Sequence, residues 1–512
     1  MNRFATLSFC LACIGHIAVA DTGPRSAIPW LSDILTTPGT DAPSDPTGTE
    51  DEIVVTSLND RQRDGVGILS YRQSGIPKNV WDQTSALRVR KLMSQTPYAG
   101  LPEVRSLYRR MLLAEFDPPI GASASTNLLL ARIDKLLAIG ALEQASALIN
   151  AAGADTADLF SRWFDISLLT NNADEACATL QHSPMLSPAK NVRVFCLARA
   201  GDWDAAAVSL TLGETLGRID PHYSLLLSFF LDPALIEEEA PPEPRRPMSA
   251  LEFLIRESVG LPRPDTSLPD AFLHADLADY VPVRFRMLAA ERLVRIGALD
   301  PGILFAAYRE EPAASSGGIW ERADAVQDFD TAVGADVNDA LIRLDRELTA
   351  VGLRHAAATT LASRLEQLEP SALEHKAREI AASYLLLAGK LDRAMAWMTP
   401  GASVHLRTAA VVAGKSDVID PAISADMFAI LAPFLETDPT RLLDPRMAQL
   451  VSTQRTGEAI FGAIALLARD TMPDPGDVAL ALATLRAVGQ EETARRAAIQ
   501  LLLLSQDLDH AR

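Results

Sequence analysis

Cysteine is almost missing from this chain: four in 512 residues, with Cys10 and Cys13 inside the first twenty. Beyond them only Cys177 and Cys196 remain, so at most one intramolecular disulfide is available. The eight histidines are His16, His182, His222, His274, His355, His375, His405 and His510, and no two sit at metal-ligand spacing on one helix face. There is no Gly-x-Ser-x-Gly elbow, no phosphate-binding glycine loop and no dinucleotide fingerprint. No catalytic, cofactor or metal residues are therefore assigned. Aromatics are 6% and scattered, too sparse to mark a sugar-stacking cleft. Positive charge is outweighed, with a net charge of −19, which argues against nucleic acid and anionic lipid as main partners. After the first twenty residues no apolar run reaches membrane-spanning length, so no integral membrane segment is expected.

What is present is apolar and helix-forming. Apolar residues are 48%, dominated by Ala and Leu, and β-branched runs are rare. The length allows two to four domains. Residues 1–20 read as a secretory signal peptide. Asn2-Arg3 precedes an apolar stretch from Phe4 to Ile17, and Ala18-Val19-Ala20 forms a small-x-small cleavage site. Acylation at Cys13 would need a better lipobox than Cys10-Leu11-Ala12. The expected location is periplasmic or secreted.

One short pattern recurs: Gly-x-(bulky)-(acid)-x-(small). It begins at Gly140, Gly201, Gly297 and Gly389, with degenerate copies at Asn172, Gly352 and Gly489. Gly or Asn tolerates the left-handed backbone that stops one helix. The acid then lies in the first turn of the next, near exposed N–H groups. The small residue permits close helix approach, and Trp203, the bulky member of the Gly201 copy, is expected to be buried between hairpins. Copies at 140, 172 and 201 are 32 and 29 residues apart, the step of a two-helix unit. The turn Gly201-Asp202-Trp203-Asp204-Ala205-Ala206 resembles the inter-helix turn of tetratricopeptide (TPR) repeats. The first helices lack that family's Trp and Leu-Gly signature, and the repeat lengths vary. The resemblance covers residues 125–231 and, in patches, 280–400. It implies an all-α, TPR-like α-solenoid of antiparallel helix hairpins whose concave face binds protein or peptide.

Along the chain, residues 21–83 read as a disordered leader. It holds a Pro/Thr/Asp-rich stretch at 36–51, a short helical patch with Trp30, Leu31, Ile34 and Leu35, and a strand-like segment from Glu52 to Leu58. Trp81 is its expected anchor on the helical body. Helical repeats follow over 84–231, with helices expected at 84–95, 102–115, 125–139, 141–151, 156–170, 173–182, 189–200, 203–216 and 221–231. A Pro-rich boundary region with one helix spans 232–269, and further repeats fill 270–512.

Cys177 lies five residues after Asn172, and Cys196 lies five before Gly201, on either side of one interhelical connection. Export and this mirror placement predict a structural disulfide between them. Acids flank several histidines (Asp220 and His222, His274 and Asp276, Glu374 and His375, Asp509 and His510), read here as surface or capping pairs. Asp328-Phe329-Asp330, if extended before a helix at 336, would project two carboxylates to one side. The chain as a whole points to an exported scaffold or adaptor for envelope proteins or peptides rather than an enzyme. The alternative is a helical cell-wall-associated enzyme or accessory domain. Its signal, leader and Ala/Leu-rich hairpins are also similar to those of exported alphaproteobacterial proteins of no established activity.

Overall fold

Apolar residues at helical spacing, punctuated by Gly and by Ser or Asp, dictate a chain of short helices, and the computed structural model consists of them. It describes residues 63–122, 127–187, 189–263, 268–315, 317–399, 401–469 and 473–510. The expected signal peptide, the Trp30 patch and the expected strand-like segment lie outside the described residues. Among the described residues there is no strand, only two isolated bridges, Leu69 to Ala114 and Ser85 to Ile120. The N-terminal helices run Ala86–Gln95, Pro102–Leu113, Asn127–Ala138, Leu142–Ala152, Ala157–Leu169, Ala173–His182, Lys190–Arg199, Trp203–Thr215 and Pro221–Leu231. Four of these helices start from side-chain caps: Ser85 accepts from Arg88 N–H, Thr156 from Leu159, Asp202 from Ala205 and Asp220 from His222.

The recurrent turn has one backbone solution. Gly140, Gly201, Gly297, Gly352, Gly389 and Gly489 all have positive φ, between 69° and 82°. In each, the next residue's N–H reaches the carbonyl five residues back: Ala141 to Leu136, Asp202 to Leu197, Ala298 to Leu293, Leu353 to Leu348, Lys390 to Leu385 and Gln490 to Leu485, at 2.8–3.0 Å. This bond satisfies a carbonyl that the helix end would leave orphaned. The Asn172 assignment is off by one. Asn171 carries the positive φ, 61°, and Asn172 supplies the N–H, bonding to Ser167 O at 2.8 Å. The same geometry recurs outside the pattern at Gly217, Gly260 and Gly414, and once more with a glutamine in the left-handed position. Gln454 has φ 55°, and Arg455 N–H bonds to Leu450 O at 2.9 Å.

Helices adjacent in sequence pack on one another through most of the body. Residues 63–83 belong to that body, so the leader boundary expected at 83 is too late. Leu69, Ile76, Val80 and Trp81 are buried. The buried guanidinium of Arg132 donates to Leu112 O, Ala114 O, Asp64 O and Val66 O at 2.5–3.1 Å, while Asp64 accepts from Leu128 and Leu129 N–H and so caps Asn127–Ala138 from a distance. Residues 232–269 also do not divide the body, since Asn59–Arg512 is one compact unit. Within that segment, helix Ala250–Ser258 packs on Ala157–Leu169 and Pro221–Leu231. Its Glu252 is buried, accepting from Arg245 N–H and lying 3.0 Å from His222 Nε2.

The first described elements also pack against the last. Trp81 lies 5.9 Å from Phe461 and Tyr108 lies 5.2 Å from it, centroid to centroid. Arg88 bonds to Glu458 at 2.9 Å, Glu103 N–H to Gln500 at 2.8 Å, and Gln490 to Gly75 O at 2.7 Å. In an open stack each unit touches only its neighbours. Here helices Pro102–Leu113 and Glu491–His510 are in contact, and the two ends of the body form a seam.

Candidate functional site

The connection between helices Ala173–His182 and Lys190–Arg199 carries the strongest local constraint. Cys177 and Cys196 are joined, with Cα atoms 5.1 Å apart across the two helices. Arg199 ties the same pair of helices, bonding Asp174 at 2.6 Å. In the connecting loop, residues Pro184–Leu186 form a single 3-10 turn, and Pro184 cannot continue the preceding helix.

Beside this braced loop lies a cavity of about 510 Å³. Leu180, Pro184, Met185 and Leu197 supply apolar lining, and Met185 is 90% exposed. The charged lining residues are Lys190, Arg193 and Arg218, with no carboxylate among them. None of the three forms an ion pair among the described residues, although thirty pairs tie the rest of the body. The following helix, Trp203–Thr215, shows solvent an apolar row of Val208 and Leu212, continued by Leu216 beyond its end. Trp203 is 51% exposed, so its expected burial is wrong. As the first residue of its helix it precedes the buried stripe of Ala206, Leu210 and Gly213.

The turn residues are partly gathered. Gly297, Gly352 and Gly389 line a second cavity, about 430 Å³, between helices Pro102–Leu113 and Glu491–His510. Gly140 sits against Ala298 and residues 270–271, and His274 Nε2–H donates to its carbonyl, 2.7 Å away. Burial lowers the pKa of that imidazole, which braces the turn in its neutral form. Gly201 and Gly489 have nothing within 4 Å of where a Cβ would stand.

The remaining candidates resolve into structural roles. Asp220 caps through His222 N–H, and Asp276 pairs with Arg263 at 2.6 Å rather than with His274. Glu374 precedes helix His375–Leu387, its N–H bonded to Asn338. The side chains of Asp509 and His510 lie outside the described residues. Asp328-Phe329-Asp330 is not extended. It closes helix Ile319–Thr331, with Phe329 buried, Asp330 bonded to Arg309 and Asp328 to Arg343. Helical rotation points the two acids to different partners. Among the described residues no group of three or more His, Cys, Asp or Glu could hold a metal, and no helix is long and apolar enough to cross a membrane.

Sequence reasoning missed both cavities. Their residues come from segments far apart in the chain, and only the folded turns bring them together. Comparison with family models, with curated proteins and with solved structures gives no match.

Proposed function

We propose that the protein is an exported adaptor that binds an acidic, apolar segment of an envelope protein at the disulfide-braced loop. One observation carries this reading. In a chain of net charge −19, the apolar cavity at that loop is edged by three cations unpaired among the described residues. Such a site favours an occupant that buries aliphatic side chains and brings carboxylates to Lys190, Arg193 and Arg218. The disulfide holds the groove walls in register, so little is spent on ordering them when a segment binds. The repeated hairpin turn supports the TPR-like part of the reading, and the Ala18-Val19-Ala20 site supports export.

The test is fluorescence anisotropy with peptides that interleave Asp or Glu with Leu and Ile, beside charge-reversed versions. The acidic set should bind at least about tenfold more tightly, and the triple variant Lys190→Glu, Arg193→Glu, Arg218→Glu should abolish the preference. A photo-crosslinker at Met185 should label a partner in the intact envelope, and less of it in the triple variant. Equal binding of both peptide sets would refute the proposal.

A further inference from the structure

The second cavity is chemically distinct from the loop groove. Arg105 and Arg109 stand one turn apart on helix Pro102–Leu113. Arg496 comes from helix Glu491–His510, and Arg295 from the last turn of helix Val283–Ile296. Arg109 donates to Tyr98 Oη at 2.5 Å and Arg295 donates to Val351 O at 2.9 Å. Neither bonds to a carboxylate among the described residues, and each guanidinium has five N–H groups to place. Two acids line the space, and both are occupied. Glu103 accepts from Arg110 at 2.9 Å, and Asp300 accepts from Gly302 N–H at 2.7 Å. Arg496 pairs with Glu492 within its own helix, at 2.8 Å.

A second observation is independent of the charge count. His355 lines the same cavity, and its buried Nδ1 has no hydrogen-bond partner among the described residues. A buried polar atom of this kind costs free energy unless something meets it. Burial, then the charges of Arg105 and Arg496, push His355 down to about 4, so the ring is neutral at neutral pH. The cavity thus presents converging guanidinium groups and one neutral imidazole with an unfilled nitrogen.

We propose that this cavity is a binding site for a small polyanion, held through phosphate or carboxylate oxygens by Arg109, Arg295 and Arg496, with His355 as a neutral hydrogen-bond partner. Guanidinium groups suit both oxyanions because their paired N–H groups match two oxygens at once. The site depends on the seam, since Arg109 and Arg496 come from its two sides, while Arg295 comes from helix Val283–Ile296. It stands or falls apart from the loop groove, with which it shares no lining residue.

Titration calorimetry of the full-length protein with pyrophosphate and with citrate tests this. One or both should bind at a single site. Arg109→Gln with Arg295→Gln should weaken binding at least about tenfold, while Lys190→Glu, Arg193→Glu, Arg218→Glu should change it less than about twofold at moderate salt. Binding of only one anion identifies the group the site prefers. A second readout needs no variant. The His355 ring resonances should shift on saturation, and its apparent pKa should rise, because bound negative charge favours the imidazolium. If neither anion binds, if the double variant binds as well as the parent, or if His355 does not respond, the proposal is overturned.

Discussion

Arg132 shows how one residue can decide a region. It satisfies four carbonyls from segments that have no regular partner, and its guanidinium stacks over Phe116 at 4.6 Å. Arg132→Met keeps the volume and orphans those acceptors, so it should cost about 3 kcal/mol or more by chemical denaturation. Two tryptophans make the opposite pair. Trp81→Ala should cost about 3–5 kcal/mol because the ring is fully buried. Trp203→Ala should stay within about 0.5 kcal/mol because half the ring is in water. The sequence told these apart only in part. Trp81 was legible as an anchor, being the only tryptophan of the irregular stretch 66–83. Trp203 was misread because a turn motif places the residue along the chain and not around the helix. Gln454 sits at a backbone position that favours glycine. Gln454→Gly should therefore raise stability by roughly 1 kcal/mol, the left-handed penalty less the added freedom of the unfolded chain.

At the scale of elements, the disulfide and the turns are the parts most nearly written in the sequence. The closed loop has a sequence separation of 19 residues, for which chain entropy gives roughly 3 kcal/mol. Cys177→Ser with Cys196→Ser should lose about that much, and peptide mapping without reductant should recover the linked pair. Helix limits in the N-terminal half match their sequence expectation to within about two residues, the ordinary uncertainty of a helix end. The reason is local: caps and left-handed stops are each set by one or two side chains. Where a signal was too short, it misled. The alternation in Asp328-Phe329-Asp330 spans three residues, fewer than one helical turn, so it could not distinguish a strand period from a helix. The doublet Asn171-Asn172 offered two residues able to adopt the left-handed backbone, and the hydrogen bond of the second identifies the first.

At the scale of the whole molecule, the seam had no sequence signature, because its contacts join residues from 353 (Tyr108 to Phe461) to 415 positions apart. The arginines of the second cavity were invisible for the same reason. Gly457 is a sensitive point in the seam: a Cβ there would stand 2.3 Å from the Trp81 ring. Gly457→Ala should therefore destabilise the body by about 1–3 kcal/mol, read from its melting transition. Hydrogen exchange should show amides of Ala86–Gln95 losing protection along with those of Thr456–Leu467. The seam also responds to acid. Burial pushes the Glu458 carboxyl up, but hydrogen bonds from Arg88 and Arg455 outweigh it and hold the pKa below its usual 4.5. A depressed carboxylate contributes fully above that ordinary value, and the contribution is lost as pH falls through the lower folded value. Glu458→Gln should flatten the acid limb of a stability-against-pH curve.

The seam sets a timetable for synthesis. Trp81, Tyr108 and the face of Pro102–Leu113 find their cover on Phe461 and on the final helix. A ribosome adding about 5–20 residues per second leaves roughly 20–80 seconds between making the two sides. Throughout that interval the first helices carry an apolar face with no partner, and the segments that close it are made long after them.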